Sequence, residues 1–455
     1  MDRKINELLD SYRSEFVEML QRWIRIPSVK GEAEEGAPFG RDVRRMLDQA
    51  MKDAESLGFK TRGFDGYACD ITLGEAEEKI AVLGHLDVVP VGDGWTKPPF
   101  DGLVEDGRIY GRGTNDDKGP SLAALFAMRA VRDAGIPLKR SIRLILGCDE
   151  ESGWEDMAYY GAHETIPDMG FSPDANFPLI NTEKGMLVFE IRAKAAEKGL
   201  KIIEMATGDR VNVIPGECTA LVEGGEDLIR KTEAYTAKTG LPYQAEKTEK
   251  GVWLTAVGIP GHSAYPEGRR NAIGMMTLLL RELGAEGPVA ELAGAVGLES
   301  DGKGLGCTCR DEISGPLTCN MGILRLKDGA WYGTLDLRCP VEADQEQLKA
   351  AAAAHLPGFE VQVNTQKPPH HVPADGELVS KLLAAYEEET GLKGEAMSTG
   401  GGTYAKVLKH GVAFGAVFPD EEDLAHQADE FERIDRLMLA AKIYANALIR
   451  LAGKN

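Results

Sequence analysis

Two short apolar runs, at residues 80–83 and 142–146, pass almost directly into polar clusters, Gly84-His85-Leu86-Asp87 and Asp149-Glu150-Glu151. Apolar runs of that length with such flanks read as buried strands. Polar side chains that follow them emerge at one edge of a sheet, and open α/β folds place ligands beyond the carboxyl ends of their strands. A helix-like stretch at residues 121–132 separates the two runs. The alternation predicts an α/β domain, a mixed sheet with helices on both faces.

The flanking sequence extends that domain and then interrupts it. Ile5, Leu8, Leu9, Tyr12, Phe16, Leu20 and Trp23 recur at helical spacing ahead of Pro27 and predict one opening amphipathic helix. A second helix, at residues 43–57, ends at Gly58. Beyond residue 185 the texture is α+β. Strands are expected at 186–191, 252–259 and 319–326, the last joined through Lys327-Asp328-Gly329 to a hairpin partner at 331–337. Helices are expected at 227–237, 271–283 and 346–355. From Gly376 the α/β pattern returns, with a helix at 378–390, a strand at 412–418 and a closing helix at 433–451. The expected organisation is a catalytic domain of residues 1–184 and 366–455, interrupted by an α+β lid domain of residues 185–365.

Composition narrows the function. The 455 residues carry 52 Lys and Arg against 73 Asp and Glu, a formal net charge of −21. Such a body repels nucleic acid and anionic membrane surfaces unless a basic patch offsets the charge, and the sequence shows none. The first residues lack the apolar stretch of a signal peptide, and no segment reaches the roughly 20 apolar residues that span a bilayer, so a cytoplasmic location is expected. Seven cysteines, an odd number over a long chain, argue against a disulfide framework. Cys307 and Cys309 lack a second pair nearby, and free thiols are the simpler reading.

His85 and Asp87, two apart on an extended chain, point the same way. One ring nitrogen can bind a metal while the other donates to the carboxylate. The glycine-rich segment Gly111-Arg112-Gly113-Thr114-Asn115-Asp116-Asp117-Lys118-Gly119 precedes a helix, and its adjacent carboxylates repel unless a cation or donors offset them. A phosphate cradle is the rival there, but the acidic pair and the missing Gly-Lys-Ser/Thr ending oppose it. Asp149-Glu150-Glu151, Asp174 and His426 add acids and a second histidine. Each cluster alone also reads as solvated surface. Together, two histidines and three or more carboxylates suit two divalent cations with one bridging carboxylate.

These motifs, in order, resemble the aminoacylase and carboxypeptidase-G family of two-metal peptidases. The likeness runs from near residue 80 to near 430. Ser172-Pro173-Asp174-Ala175-Asn176-Phe177-Pro178 and Gly400-Gly401-Gly402-Thr403-Tyr404-Ala405 are most similar to its dipeptidase V-like branch. The resemblance implies that Asp116 bridges two metals, with His85 and Asp174 at one and Glu151 and His426 at the other. It makes Glu150 the general base and Asp87 the partner that orients His85, and it implies a cis peptide at Asp116–Asp117. His262, in Gly258-Ile259-Pro260-Gly261-His262, is the implied oxyanion donor, with Asn212 near the substrate. Arg338 and the glycines Gly400, Gly401 and Gly402 are implied to hold the substrate's terminal carboxylate, which suits a planar guanidinium and a run of backbone N–H groups.

The expected activity is that of a metal-dependent dipeptidase acting on short peptides with a free C-terminus. An N-acyl-amino-acid deacylase and a non-catalytic metal-binding homologue are the alternatives. The donor set suits Zn, Mn or Co nearly equally, and Zn is the ion expected, with Mn or Co as alternatives. The larger insertion of the branch implies a monomer whose partner is a small peptide.

Overall fold

A computed structural model describes residues 3–196 and 198–454. The chain forms two compact units. The first holds residues up to Asn181, Val372–Met397 and the chain from Gly402 onward, and the second holds Thr182–His371 with Ser398–Gly401.

In the first unit, strand Lys79–His85 lies between Ser141–Gly147 and Met169–Ser172, with His410–Ala413 beyond the latter. All four run parallel. Ala68–Leu73 joins Ser141–Gly147 antiparallel and forms a hairpin with Lys60–Phe64, so the sheet is mixed. Alternation along the strands explains why both faces are covered. Ile80, Val82, Ile142, Leu144 and Leu146 enter one apolar core, shared with helices Lys118–Asp133 and Ile434–Ala452. Ala81, Leu83 and Ile145 enter another, under Met157 and Tyr160 of helix Glu155–His163. A fully buried side chain of this size contributes about 1.5–3 kcal/mol relative to exposure. The two cores therefore fix the register that sets the sheet's polar edge.

Two expected elements differ. The opening helix is two helices, Arg3–Ser11 and Arg13–Ile24, parted at Tyr12. Tyr12 packs edge-on to Phe126 and donates its hydroxyl to Asp133 Oδ2 at 2.7 Å, so a tertiary contact overrides the unbroken helical pattern. The strand expected at 412–418 is split into His410–Ala413 and Ala416–Val417. Gly415 stands between them at φ 80°, a left-handed turn seated on the Phe177 ring where a Cβ has no room.

The second unit is built on an antiparallel sheet of eight strands. Its order is Tyr243–Thr248, Gly251–Val257, Glu217–Val222, Ile202–Thr207, Thr318–Lys327, Ala330–Cys339, Gly185–Lys194 and Glu360–Lys367. Asp328 and Gly329, both at positive φ, close the hairpin between Lys327 and Ala330, as a two-residue turn requires. Helix Ala272–Glu282 starts at Asn271, whose side chain accepts from the N–H groups of Ile273 and Gly274. Among the described residues no helix is long and apolar enough to cross a membrane. All seven cysteines are free thiols.

Candidate metal centre

Three parallel strands deliver the candidate ligands to one sheet edge. His85 ends its strand in register with Gly147, so the loop carrying Glu150 and Glu151 leaves beside it. Asp174 follows strand Met169–Ser172 by two residues. Asp116 lies just before helix Lys118–Asp133, and His426 sits on the loop after Ala416–Val417, at φ 65° where few non-glycine residues go. A Cβ at Gly84 would overlap the Ser121 hydroxyl of that helix, so glycine here lets the helix start come against the strand end.

The donors converge on Asp116. Its Oδ1 is 2.8 Å from His85 Nε2, and its Oδ2 is 3.1 Å from His426 Nε2. Asp174 Oδ2 lies 3.7 Å from His85 Nε2, and Glu151 Oε1 lies 3.0 Å from His426 Nε2. Two groups result, His85 with Asp116 and Asp174, and Asp116 with Glu151 and His426. Donor atoms at these separations match neighbouring ligands that each stand about 2.0–2.2 Å from one ion. Asp116 offers one oxygen to each group, the arrangement of a bridging carboxylate. Its neighbour Asp117 turns inward, accepting from His85 N at 3.1 Å and Ser121 Oγ at 2.8 Å. The Asp116–Asp117 peptide is cis.

The charges call for cations. Burial would lower His426, but the Asp116 and Glu151 carboxylates hold it up at about 11. Burial opposes His85 as well, and Asp116 and Asp87 carry it well above the usual imidazole range. Burial and then the Asp116 charge push Asp174 well up, and burial does the same to Glu150, whose Oε1 has no hydrogen-bond partner among the described residues. A pocket of half-buried acids that draws protons onto two imidazoles has the donor chemistry for divalent ions.

Asp87 does more than face His85. His85 Nδ1 is closest to the Asp87 backbone carbonyl, at 3.0 Å, with the carboxylate Oδ1 at 3.4 Å. The Asp87 carboxylate also accepts from the N–H groups of Glu150 and Glu151, at 3.1 and 3.2 Å. It therefore ties the loop of Glu150 to the strand end that carries His85.

Further supports had no sequence role assigned. Buried Glu430 accepts from Arg112 Nη1 at 2.6 Å and from the N–H groups of Gly113 and Asn115, both at 2.9 Å, so one carboxylate shapes the loop that ends in Asp116. Asp156 accepts from the N–H groups of Cys148 and Asp149 and from the Tyr404 hydroxyl, holding the start of the Glu150 loop. Tyr404 stands edge-on to the His85 ring. The adjacency of Glu430 to His426 in sequence was the one signal for it; nothing local marked Asp156.

The remaining candidates, apart from Gly402, lie in the second unit. His262 and Asn212 meet, with Asn212 Nδ2 3.5 Å from His262 Nε2 and Val213 paired with His262 across two short strands. Ala264 donates its N–H to His262 Nδ1 at 3.2 Å. Arg338 is buried, with Nε and Nη2 on Asp336 Oδ2 and Nη1 on the carbonyl of Gly400. Of the glycine run's N–H groups expected to meet a substrate carboxylate, one is already engaged. Gly400 meets Arg338 through its carbonyl oxygen, and the Gly401 N–H already donates to its neighbour Thr399 Oγ1 at 3.0 Å. Gly402 belongs to the first unit.

A model of the Peptidase family M20/M25/M40 matches residues 81–450. The "Putative dipeptidase YtjP" of Bacillus subtilis (strain 168) is 38% identical over 453 residues, covering 97% of this chain and 98% of that one. Human carnosine dipeptidase 1 shares the fold at TM-score 0.64 with 15% identity, covering 98% of both chains. Dug1p of Saccharomyces cerevisiae, described as a di-peptidase, does so at TM-score 0.63 with 13% identity and the same coverage.

Proposed function

Because the chain belongs to the Peptidase family M20/M25/M40, we propose that it is a metal-dependent dipeptidase that hydrolyses short peptides with a free C-terminus. The observation that carries the reading is Asp116, whose two oxygens face two separate groups of donors beside the half-buried Glu150. His85, Asp116 and Asp174 are the proposed ligands of one ion, and Asp116, Glu151 and His426 those of a second. Such a pair, when bound, supplies Lewis acidity that polarises a carbonyl and makes water nucleophilic near neutral pH.

The chain's own groups do the rest. Glu150 takes the proton from the attacking water at a carboxylate oxygen and returns it to the leaving amine. Asp87 holds the backbone of Glu150 and Glu151, so the base keeps its place as the proton comes and goes. His262, with Asn212 beside it, is the proposed donor to the carbonyl oxygen as charge builds there. Arg338 is proposed to face the substrate carboxylate with the two N–H groups left after its bonds to Asp336 and Gly400.

Elemental analysis after reconstitution is expected to give two ions per chain, and chelation to remove activity until Zn, Mn or Co is restored. Zn is proposed as the resident ion, and the highest restored rate identifies it. One ion per chain with full activity overturns the paired site. An unblocked dipeptide is expected to be cut at least about tenfold faster than its N-acetylated form, the low end of what one misfitting substrate group costs in a fitted pocket. The reverse preference makes the protein a deacylase. With free thiols throughout, we place it in the cytoplasm, and the larger insertion supports a monomer. Light scattering is expected to return the 49.3 kDa of one chain, and a mass of twice that overturns this.

A further inference from the structure

We propose that Asp336 is a positioning residue through which one buried carboxylate sets two substrate-facing groups of the second unit together, the Arg338 guanidinium and the His262 turn. The inference rests on the substrate-side roles proposed for Arg338 and His262.

Asp336 and Arg338 are two apart on strand Ala330–Cys339, so their side chains share a face. Asp336 is fully buried and Arg338 is 4% exposed. Asp336 Oδ2 accepts from Arg338 Nε at 3.2 Å, from Arg338 Nη2 at 2.9 Å and from Ser263 Oγ at 2.6 Å. Ser263 directly follows His262, and its N–H donates to the Asn212 carbonyl at 2.9 Å. One oxygen thus reaches the guanidinium on one side and the His262–Asn212 pair on the other.

The arrangement is a poor way to gain stability. A buried ion pair is often no better than an apolar replacement of similar volume. Asp336 Oδ1 is buried with no hydrogen-bond partner among the described residues, a further cost. What the carboxylate does achieve is geometry. Arg338 has five N–H groups. Two are taken by Asp336 and one by the Gly400 carbonyl at 2.8 Å, which leaves one on each Nη. Two such N–H groups are what a carboxylate accepts side by side. The Ser263 link holds the backbone next to His262, whose ring is already oriented by the Ala264 N–H on Nδ1.

The test compares kcat and KM on an unblocked dipeptide and on its C-terminal amide for the wild type, Asp336→Asn, Ser263→Ala, Arg338→Met and His262→Ala. Asp336→Asn is expected to lower kcat/KM on the free acid by about 10- to 100-fold, the cost of misplacing reacting groups by about an ångström. It is expected to raise KM, to lower kcat and to erase most of the preference for acid over amide, with metal content unchanged. Ser263→Ala keeps the Asp336–Arg338 pair, so kcat falls while the acid-over-amide ratio stays. A folded Asp336→Asn protein with parental kcat and parental preference overturns the inference. So does a Ser263→Ala protein with parental kcat, a result available even if Asp336→Asn does not fold. If Arg338→Met and His262→Ala are themselves silent, the substrate-side reading falls and takes the inference with it. If they act while the Asp336 and Ser263 variants do not, the inference alone fails.

Discussion

Glu150→Gln leaves a folded protein with its metal content intact and a kcat lower by about 10²–10⁴-fold, the range that a positioned general acid–base group contributes. The amide is nearly isosteric, so the buried pocket stays filled, and the Asp87 carboxylate still receives the backbone N–H groups of residues 150 and 151. Neither metal group uses the Glu150 side chain. What is lost is the ability to accept a proton from water and return it to the amine. KM on an unblocked dipeptide is expected to stay within a few-fold of the parent, because the change falls on the reacting step and not on substrate binding. Metal analysis alongside steady-state kinetics checks this. A parental kcat with bound metal would falsify the assignment of Glu150 as base, and loss of metal together with activity would make Glu150 a ligand.

The edge that carries the candidate ligands was legible in the sequence because most of them follow a short apolar run or stand just before a helix. His85 and Glu151 stand just beyond two such runs, and the runs lie side by side in parallel, in register to their last residues. The mixed sheet and the hairpin at Asp328-Gly329 were readable for the same reason, since period-two burial and turn chemistry are local signals. Packing over long separations was not. Tyr12 breaks a helix because of a contact with Asp133, and Gly415 splits a strand because of Phe177. Arg338 illustrates the limit in the second unit. Its residue type pointed to carboxylate binding, but Asp336, two positions earlier on the same strand, already takes part of its guanidinium. An i, i+2 acid on a predicted strand is a signal that was available and not used. Glu430 and Asp156 act on backbone N–H groups of distant loops, and no spacing rule encodes that.

The Arg112–Glu430 pair carries the second large expected effect. Both side chains are buried, at 1% and 0% exposed, and the pair lies 2.6 Å apart. Removing one partner of a buried ion pair leaves the other charge without compensation, so Glu430→Gln is expected to cost about 3–5 kcal/mol of stability, read as a lower denaturation midpoint. The same change weakens metal binding, because the one oxygen of Gln cannot accept both from Arg112 and from the N–H groups of Gly113 and Asn115, which meet Glu430 Oε1 and shape the approach to Asp116. The double variant Arg112→Met with Glu430→Leu separates the two effects. Replacing both charges by apolar groups of similar volume restores much of the stability. It cannot restore an acceptor for the loop N–H groups, so metal affinity stays low by about 10–100-fold, the usual consequence of losing an outer partner of a ligand set. Denaturant titration and metal titration on the two variants decide the matter. If affinity returns together with stability in the double variant, Glu430 serves the fold alone and does not position Asp116.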